Sequence, residues 1–213
     1  MENNWKPQVV GEGTTFPFVV VDNWYNEDEE KKIWKELEFY HSTENTERAE
    51  TSIVARHHDG TSKSKAFRYY FDSWYNDKGI KKSHICNFTY KYRSPEFHKI
   101  IENCLTYYRS FSSTNVNCNL ISYYEENDYY EAHYDSFEWT SLIWYYKEPK
   151  QFKGGDFMFP ESGHTIKLKN NRMVMFPSCY LHQVTPVKFN TPPKEEGLGR
   201  YTITHFFYTI PSN

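Results

Sequence analysis

The chain has 213 residues, with 25 Lys and Arg against 28 Asp and Glu and a net charge of -3. That length suits one domain able to bury a full core. The charge balance offers no basic field of the kind a general nucleic-acid binder carries, so no nucleic-acid partner is expected, and no run of about eighteen apolar residues occurs, so no membrane span is expected either.

Aromatic residues make up 19% of the chain, with 19 Tyr and 16 Phe, which predicts an aromatic core whose phenol hydroxyls need partners. Met1 to Pro7 is polar and lacks the apolar centre of a signal peptide. Cys86, Cys104, Cys118 and Cys179 are scattered, with no Cys-x-x-Cys pair. They read as free thiols in a reducing compartment, and the cytoplasm is the default location.

In chain order, Phe16–Asp22 reads as a short buried strand. Asn26 caps a helix whose first turn holds Glu27, Asp28, Glu29 and Glu30, acids that suit the positive end of the helix dipole. Ile33, Trp34, Leu37 and Tyr40 give that helix its apolar face. Residues 41–93 are irregular, with His57-His58 and Asp59-Gly60 marking loops around short strands. A stretch of this kind often forms a lid or a binding loop. Ser94-Pro95 starts a second helix, with Phe97, Ile100, Ile101, Cys104, Leu105 and Tyr108 on its buried face. Strands then follow at Val116–Tyr124, Tyr129–Ser136, Thr140–Tyr146, Asp156–Phe159, His164–Leu168, Arg172–Phe176, His182–Phe189 and Arg200–Ile210, separated by turn residues such as Gly154-Gly155 and Asn170-Asn171. This order predicts an α+β, mainly β fold: a double-stranded β-helix (jelly roll, cupin-like) with supporting N-terminal helices. One domain spans 1–213, with 1–112 as helical support and substrate loops and 113–210 as the jelly-roll core.

His133-Tyr134-Asp135 places an imidazole and a carboxylate two residues apart on a strand, so both point to one face while Tyr134 points away. Two His and one carboxylate leave positions open on an octahedral ion, the arrangement of non-heme iron oxygenases. A third ligand has to come from elsewhere, and His-x-Asp alone is weakly specific. The pair His57-His58 reads as loop residues, because neighbouring side chains diverge. His205 reads as structural.

Further along come Gly154-Gly155-Asp156-Phe157, Arg172-Met-Val-Met-Phe-Pro-Ser178, His182-Gln-Val-Thr-Pro-Val187 and Gly199-Arg200-Tyr-Thr-Ile-Thr204. With His-x-Asp, in this order, they resemble the prolyl-hydroxylase-like branch of the iron(II)- and 2-oxoglutarate-dependent oxygenases over about 116–208. The last segment is similar to that of the oxygen-sensing prolyl hydroxylases. The resemblance implies His182 as the third metal ligand beside His133 and Asp135, and Arg200 as the anchor of the co-substrate's far carboxylate, a role its planar fork suits. Thr202, on the same face as Arg200, would add a hydroxyl. By position in the family, Tyr145 and Tyr123 are the pocket tyrosines, with Tyr124 the alternative to Tyr123, and Ile143 lines the pocket beside Tyr145. The separation of His182 from Arg200 is longer than is usual for the branch, and residues 190–198 fill it as an exposed loop.

The implied cofactors are Fe(II), 2-oxoglutarate as co-substrate and O2, with ascorbate as a reductant. The implied reaction is hydroxylation of an unactivated C–H, that of a prolyl residue in a peptide or protein, with release of succinate and CO2. Asp135 stands where related halogenases carry a small residue, and the Arg-x-Asn-x-Thr-x-Arg pattern of nucleic-acid demethylases is missing. A free amino acid or other small metabolite is the alternative substrate. Outside the enzyme class, the alternatives are a non-catalytic cupin-like metal-binding module and a degenerate, partner-binding family member. Residues 41–93 and 190–198 are the expected substrate-contact surfaces.

Overall fold

Asn26 holds the first helix as its side-chain chemistry dictates. Its carboxamide accepts from the backbone of Asp28 and Glu29, and the Glu29 carboxylate accepts from the Asn26 backbone N–H, closing a capping box for α1 (Glu27–Leu37). Ile33 and Leu37 are fully buried on its inner face. The computed structural model describes residues 5–41, 47–49, 52–71, 82–104 and 106–211. Leu105 and the side chain of Cys104, both expected on the buried face of the second helix, lie outside the described residues.

Among the described residues, fifteen strands form: β1 (Lys6–Val10), β2 (Phe18–Asp22), β3 (Glu47–Arg48), β4 (Ser64–Lys65), β5 (Phe67–Tyr70), β6 (Val116–Tyr124), β7 (Tyr129–His133), β8 (Trp139–Tyr145), β9 (Phe152–Gly154), β10 (Phe157–Phe159), β11 (His164–Ile166), β12 (Arg172–Pro177), β13 (His182–Val184), β14 (Val187–Phe189) and β15 (Arg200–Tyr208). Among the described residues, the helices after α1 are α2 (His84–Asn87) and α3 (Pro95–Cys104), with 3-10 segments at Phe88–Arg93 and Thr106–Ser113. The expected strand over His182–Phe189 is two strands, because Pro186 supplies no amide to a ladder. Strands β3, β4 and β5 are the short strands expected, without bounds, within 41–93, whereas β1 and β9 were not anticipated.

The large antiparallel sheet runs β1-β2-β12-β8-β15-β6-β5-β3, and a smaller one runs β11-β10-β13-β7-β4. Between them lies an apolar layer containing Phe18, Leu142, Trp144, Phe157 and Phe176. On the other face of the large sheet, α1 and α3 cover Ile143, Tyr145, Tyr201 and Ile203. The protein is thus mainly β with helices on one side, as expected. No helix among the described residues is long and apolar enough to cross a membrane. Cys86, Cys118 and Cys179 form no disulfide.

The turn before β12 is tied to the start of α1 by Asn171, a buried residue at φ 60°. Its carboxamide accepts from Tyr25 N at 2.8 Å and donates to Tyr25 O at 2.8 Å and to Glu30 at 3.2 Å. Asn171→Ala removes these bonds and puts a Cβ without a local hydrogen bond in the left-handed region. A loss of about 3 kcal/mol in urea unfolding is expected, with an unchanged denaturant slope; a loss below about 1 kcal/mol would contradict this account.

His205 lies on the helix-side face, fully buried, with Nδ1 2.7 Å from Asn119 Oδ1. Burial pushes its pKa down from 6.5 to about 3. The unfolded chain therefore takes up a proton below about pH 6.5 that the folded one refuses until about 3, so stability is full above that window and falls as the pH is lowered through it. Each such group contributes a slope of about 1.4 kcal/mol per pH unit. His205→Gln should reduce the acid slope of unfolding free energy between pH 6 and about 4 by that amount, as read by urea melts at each pH.

Candidate active site

The two sheets diverge over a cavity of about 430 Å³. From the small sheet, His133 at the end of β7 and His182 at the start of β13 stand directly opposite each other in the ladder. Asp135 follows two residues after His133. The ligand-capable atoms of His133, Asp135 and His182 all lie within 4.8 Å of one another. His133 Nε2 is 3.6 Å from Asp135 Oδ1, and His182 Nε2 is 3.4 Å from Oδ2.

The surroundings set which nitrogen faces inward. His133 Nδ1 is 2.8 Å from the Glu131 carbonyl and His182 Nδ1 is 2.8 Å from the Tyr180 carbonyl. A carbonyl only accepts, so each Nδ1 carries the proton and each Nε2 lone pair is left for a cation. Burial, reinforced by His182 alongside, pushes the His133 pKa down to about 2, which keeps its ring neutral. Asp135 Oδ2 accepts from Thr140 Oγ1 at 2.7 Å, and Thr140 lies 2.8 Å from Ser178 Oγ. With Thr140 donating to the carboxylate, Ser178 donates to Thr140, and Asp135 is fixed by a two-hydroxyl chain. Two imidazole nitrogens and a held carboxylate are a donor set that fits a divalent first-row metal.

The ladder between β13 and β7 is irregular between His182 and Val184, with His182 opposite His133 and Val184 opposite Tyr130. The extra residue is a bulge, and it turns Tyr130 and His133 to the same side although three positions separate them. Their rings stack at 3.5 Å with a 12° interplanar angle.

From the large sheet, Arg200, Thr202, Thr204 and Phe206 line the same cavity. Arg200 is fully buried. Its Nη1 donates to Thr202 Oγ1 at 2.6 Å, while Nε and Nη2 have no partner. Burial lowers its pKa to about 10, with Tyr124, whose ring lies 4.9 Å from the guanidinium carbon, acting in the opposite sense. The stem is packed against Gly155, where a Cβ would stand 3.0 Å from Arg200 Cδ. At φ +66° that position also favours glycine. A buried guanidinium with two unanswered donors facing a cavity is suited to an incoming carboxylate.

The cavity thus brings together His133, Asp135, His182, Arg200 and Thr202, but not Tyr145, Ile143 or Tyr123. Residues opposite one another in an antiparallel ladder share a face, and Tyr145 stands opposite Tyr201, Ile143 opposite Ile203 and Tyr123 opposite Tyr201. All three side chains therefore join the helix-side core. Their neighbours take the inward face: Leu142 and Tyr124 line the cavity, and Trp144, its indole nitrogen without a partner, has its ring 5.9 Å from the Arg200 guanidinium carbon. The hydroxyl of Tyr123 instead accepts from Gly199 N at 3.1 Å. Sequence reasoning also missed Arg68 and Tyr130 as lining residues. Of the expected contact surfaces, Ile53, Val54, Ala55, Arg68 and Tyr70 do line the cavity. The described lining contains nothing from 190–198, part of which instead borders a separate groove with Lys147 and Gln151. Residues 42–46, 50–51 and 72–81 of the first surface lie outside the described residues.

No curated protein matches the chain. Residues 118–208 match the sequence model of the 2OG-Fe(II) oxygenase superfamily. Among solved structures, the fold is similar to a prolyl-4-hydroxylase from Pseudomonas putida, with 16% identity, a TM-score of 0.58, and coverage of 92% of this chain and 95% of that one. It is also similar to the viral collagen prolyl hydroxylase of Paramecium Bursaria Chlorella virus-1 in its 2OG complex, with 14% identity, a TM-score of 0.57, and coverage of 95% and 99%. A prolyl 4-hydroxylase from Phytophthora capsici gives 16% identity and a TM-score of 0.56, covering 90% of this chain and 58% of that one. Residues 118–208 thus carry the sequence pattern of the 2OG-Fe(II) oxygenase superfamily, and this match, together with the similar prolyl hydroxylase structures, supports a dioxygenase enzyme that uses iron(II), 2-oxoglutarate and O2.

Proposed function

We propose that the protein is a 2-oxoglutarate-dependent dioxygenase that hydroxylates a prolyl residue in a peptide or protein. In this reading the whole chain acts as one oxygenase domain, with residues 1–112 supplying support and substrate loops and 113–210 the core. His133, Asp135 and His182 hold iron(II), and Arg200 with Thr202 holds the far carboxylate of 2-oxoglutarate. One observation carries the proposal: two imidazoles with their Nε2 atoms freed by carbonyl-bound Nδ1 protons converge with a carboxylate in the cavity where Arg200 has two unanswered donors. The prolyl substrate is carried over from the similar solved structures, which are prolyl hydroxylases.

The metal, when bound, couples oxidative decarboxylation of 2-oxoglutarate to C–H hydroxylation, so that one atom of O2 enters the substrate and the other enters succinate. The chain's own residues supply the setting. The Ser178–Thr140 hydroxyls orient Asp135, the Glu131 and Tyr180 carbonyls fix both imidazole tautomers, and Arg200 aligns the co-substrate through a planar fork. Phe157 and Leu142 keep the inner cavity apolar, which limits water around the reacting groups.

Adding iron(II) and 2-oxoglutarate to the metal-free protein without oxygen should produce the visible metal-to-ligand charge-transfer band. A folded, metal-loaded protein that shows no band would remove the oxygenase reading. With the band present, proline-containing peptides should gain the mass of one oxygen under air. A gain seen only in a pool of small metabolites would overturn the prolyl assignment.

A further inference from the structure

The cavity has a second buried cation that the co-substrate does not use. Arg68 on β5 is 3% exposed and lines the cavity. In the large sheet it stands opposite Ser122, which stands opposite Thr202, so Arg68 shares the inward face with Arg200 but lies two strands from β15, about 10 Å across. Its guanidinium carbon sits 4.7 Å from the Tyr130 ring centre, and Tyr130 stacks on His133 at 3.5 Å. Arg68 is thus held one aromatic layer away from the proposed metal ligand.

Its hydrogen bonding is incomplete. Nη2 donates to Ser64 Oγ at 3.0 Å, and Nε has no partner. No acidic side chain among the described residues pairs with it. Other arginines of the large sheet find carboxylates: Arg48 reaches Asp128 at 3.2 Å, and Arg172 reaches Asp22 at 2.6 Å. A fully desolvated guanidinium without a counter-charge is costly to keep in a fold, and apolar replacements are usually at least as stable. Its position beside open volume gives the charge a use, since an anion entering the cavity would meet both the fork of Arg68 and the apolar wall formed by Ile53, Tyr70, Phe137 and Phe206.

We propose that Arg68 anchors a carboxylate carried by the primary substrate, so that the cavity takes two acids at once: 2-oxoglutarate on Arg200, and on Arg68 a substrate with an apolar body and a carboxylate. This rests on the oxygenase reading above and narrows its substrate class. The carboxylate can come from a free terminal acid or from an acidic side chain beside the reacting residue, and the two sources are separable by experiment.

The test is calorimetric titration of the full chain loaded with Mn(II) and saturated with 2-oxoglutarate, using two matched pairs of probes. N-acetyl-L-proline against N-acetyl-L-prolinamide reports a terminal carboxylate. End-blocked glycyl-prolyl-glutamyl-glycine against its glutaminyl counterpart reports an acidic side chain. At least one acid should bind about tenfold or more tightly than its neutral twin, as a charge-assisted bidentate contact requires, and the pair that shows the preference names the source. Arg68→Gln should abolish the preference and leave 2-oxoglutarate affinity within about twofold, and Arg68→Lys should keep a reduced preference because it retains the charge without the fork. No preference in the wild type for either pair overturns the proposal. So does a preference kept by folded Arg68→Gln, an undiminished one in Arg68→Lys, or a loss of 2-oxoglutarate binding in Arg68→Gln. Failure of the metal-loaded wild type to bind 2-oxoglutarate at all would instead sink the oxygenase reading.

Discussion

His182→Ala is expected to abolish turnover, measured as succinate release, and to lower iron affinity by more than about 100-fold. Removing an outer-shell partner of a metal ligand already costs about 10- to 100-fold, and here one of the three proposed ligands goes. The remaining pair, His133 and Asp135, is set 3.6 Å apart and offers only one edge of a coordination sphere. The fold should survive, because the lost ring packs against Phe157 and Phe176 in a layer held by many other aromatics. A modest fall in melting temperature therefore accompanies the loss. Iron content after anaerobic equilibration separates the two effects. A His182→Ala protein that keeps wild-type iron and the charge-transfer band would show that the triad is not the metal site.

The second large effect is at Arg200. Arg200→Met should weaken 2-oxoglutarate binding by about 100- to 1,000-fold, the size expected when one partner of a desolvated, bidentate charge pair is removed. Arg200→Lys should lose about tenfold, since a point charge replaces a fork. The same Met substitution should leave the ligand-free protein as stable as the wild type or more so. It removes a fully buried cation whose Nε and Nη2 have no partner, and it fills the space with a side chain of similar length. Titration of 2-oxoglutarate and thermal melts on the same samples check both halves. Unchanged affinity in Arg200→Met would point to another cation as the anchor, with Arg68 the nearest alternative in the cavity.

The convergence of His133, Asp135 and His182 was legible because His-x-Asp on a strand fixes direction by the two-residue period, and because the segments around His182 and Arg200 resemble family motifs. The face of β15 was legible for the same reason of period. The face of β8 was not. All seven residues of Trp139–Tyr145 are buried, since helices cover one side and the second sheet covers the other, so no polar alternation marks which side is which. Placement by analogy then put Tyr145 and Ile143 one residue out of phase, and the ladder with β15 corrects it. Tyr123-Tyr124 offered two identical side chains, and only the pairing of Tyr124 with Arg200 distinguishes them. Arg68 was hidden in an irregular stretch, on a four-residue strand whose inward face becomes visible only once β6 lies beside it. Tyr130 was hidden by the bulge, which breaks the alternation that sequence reasoning relies on.

The unanswered donors of Arg200 also bear on how long the protein lasts in a cell. A ligand that binds only the folded state adds stability in proportion to the logarithm of its excess over Kd, about 1.4 kcal/mol for each tenfold. Under the proposed anchoring of the co-substrate by Arg200, the ligand-free protein keeps a desolvated charge unpaired, and much of that gain would be relief of a standing penalty. Proteases that act on transiently unfolded chains would therefore clear the protein faster when 2-oxoglutarate is scarce and spare it when the metabolite is abundant. Supply of the co-substrate would then govern the amount of enzyme as well as its rate.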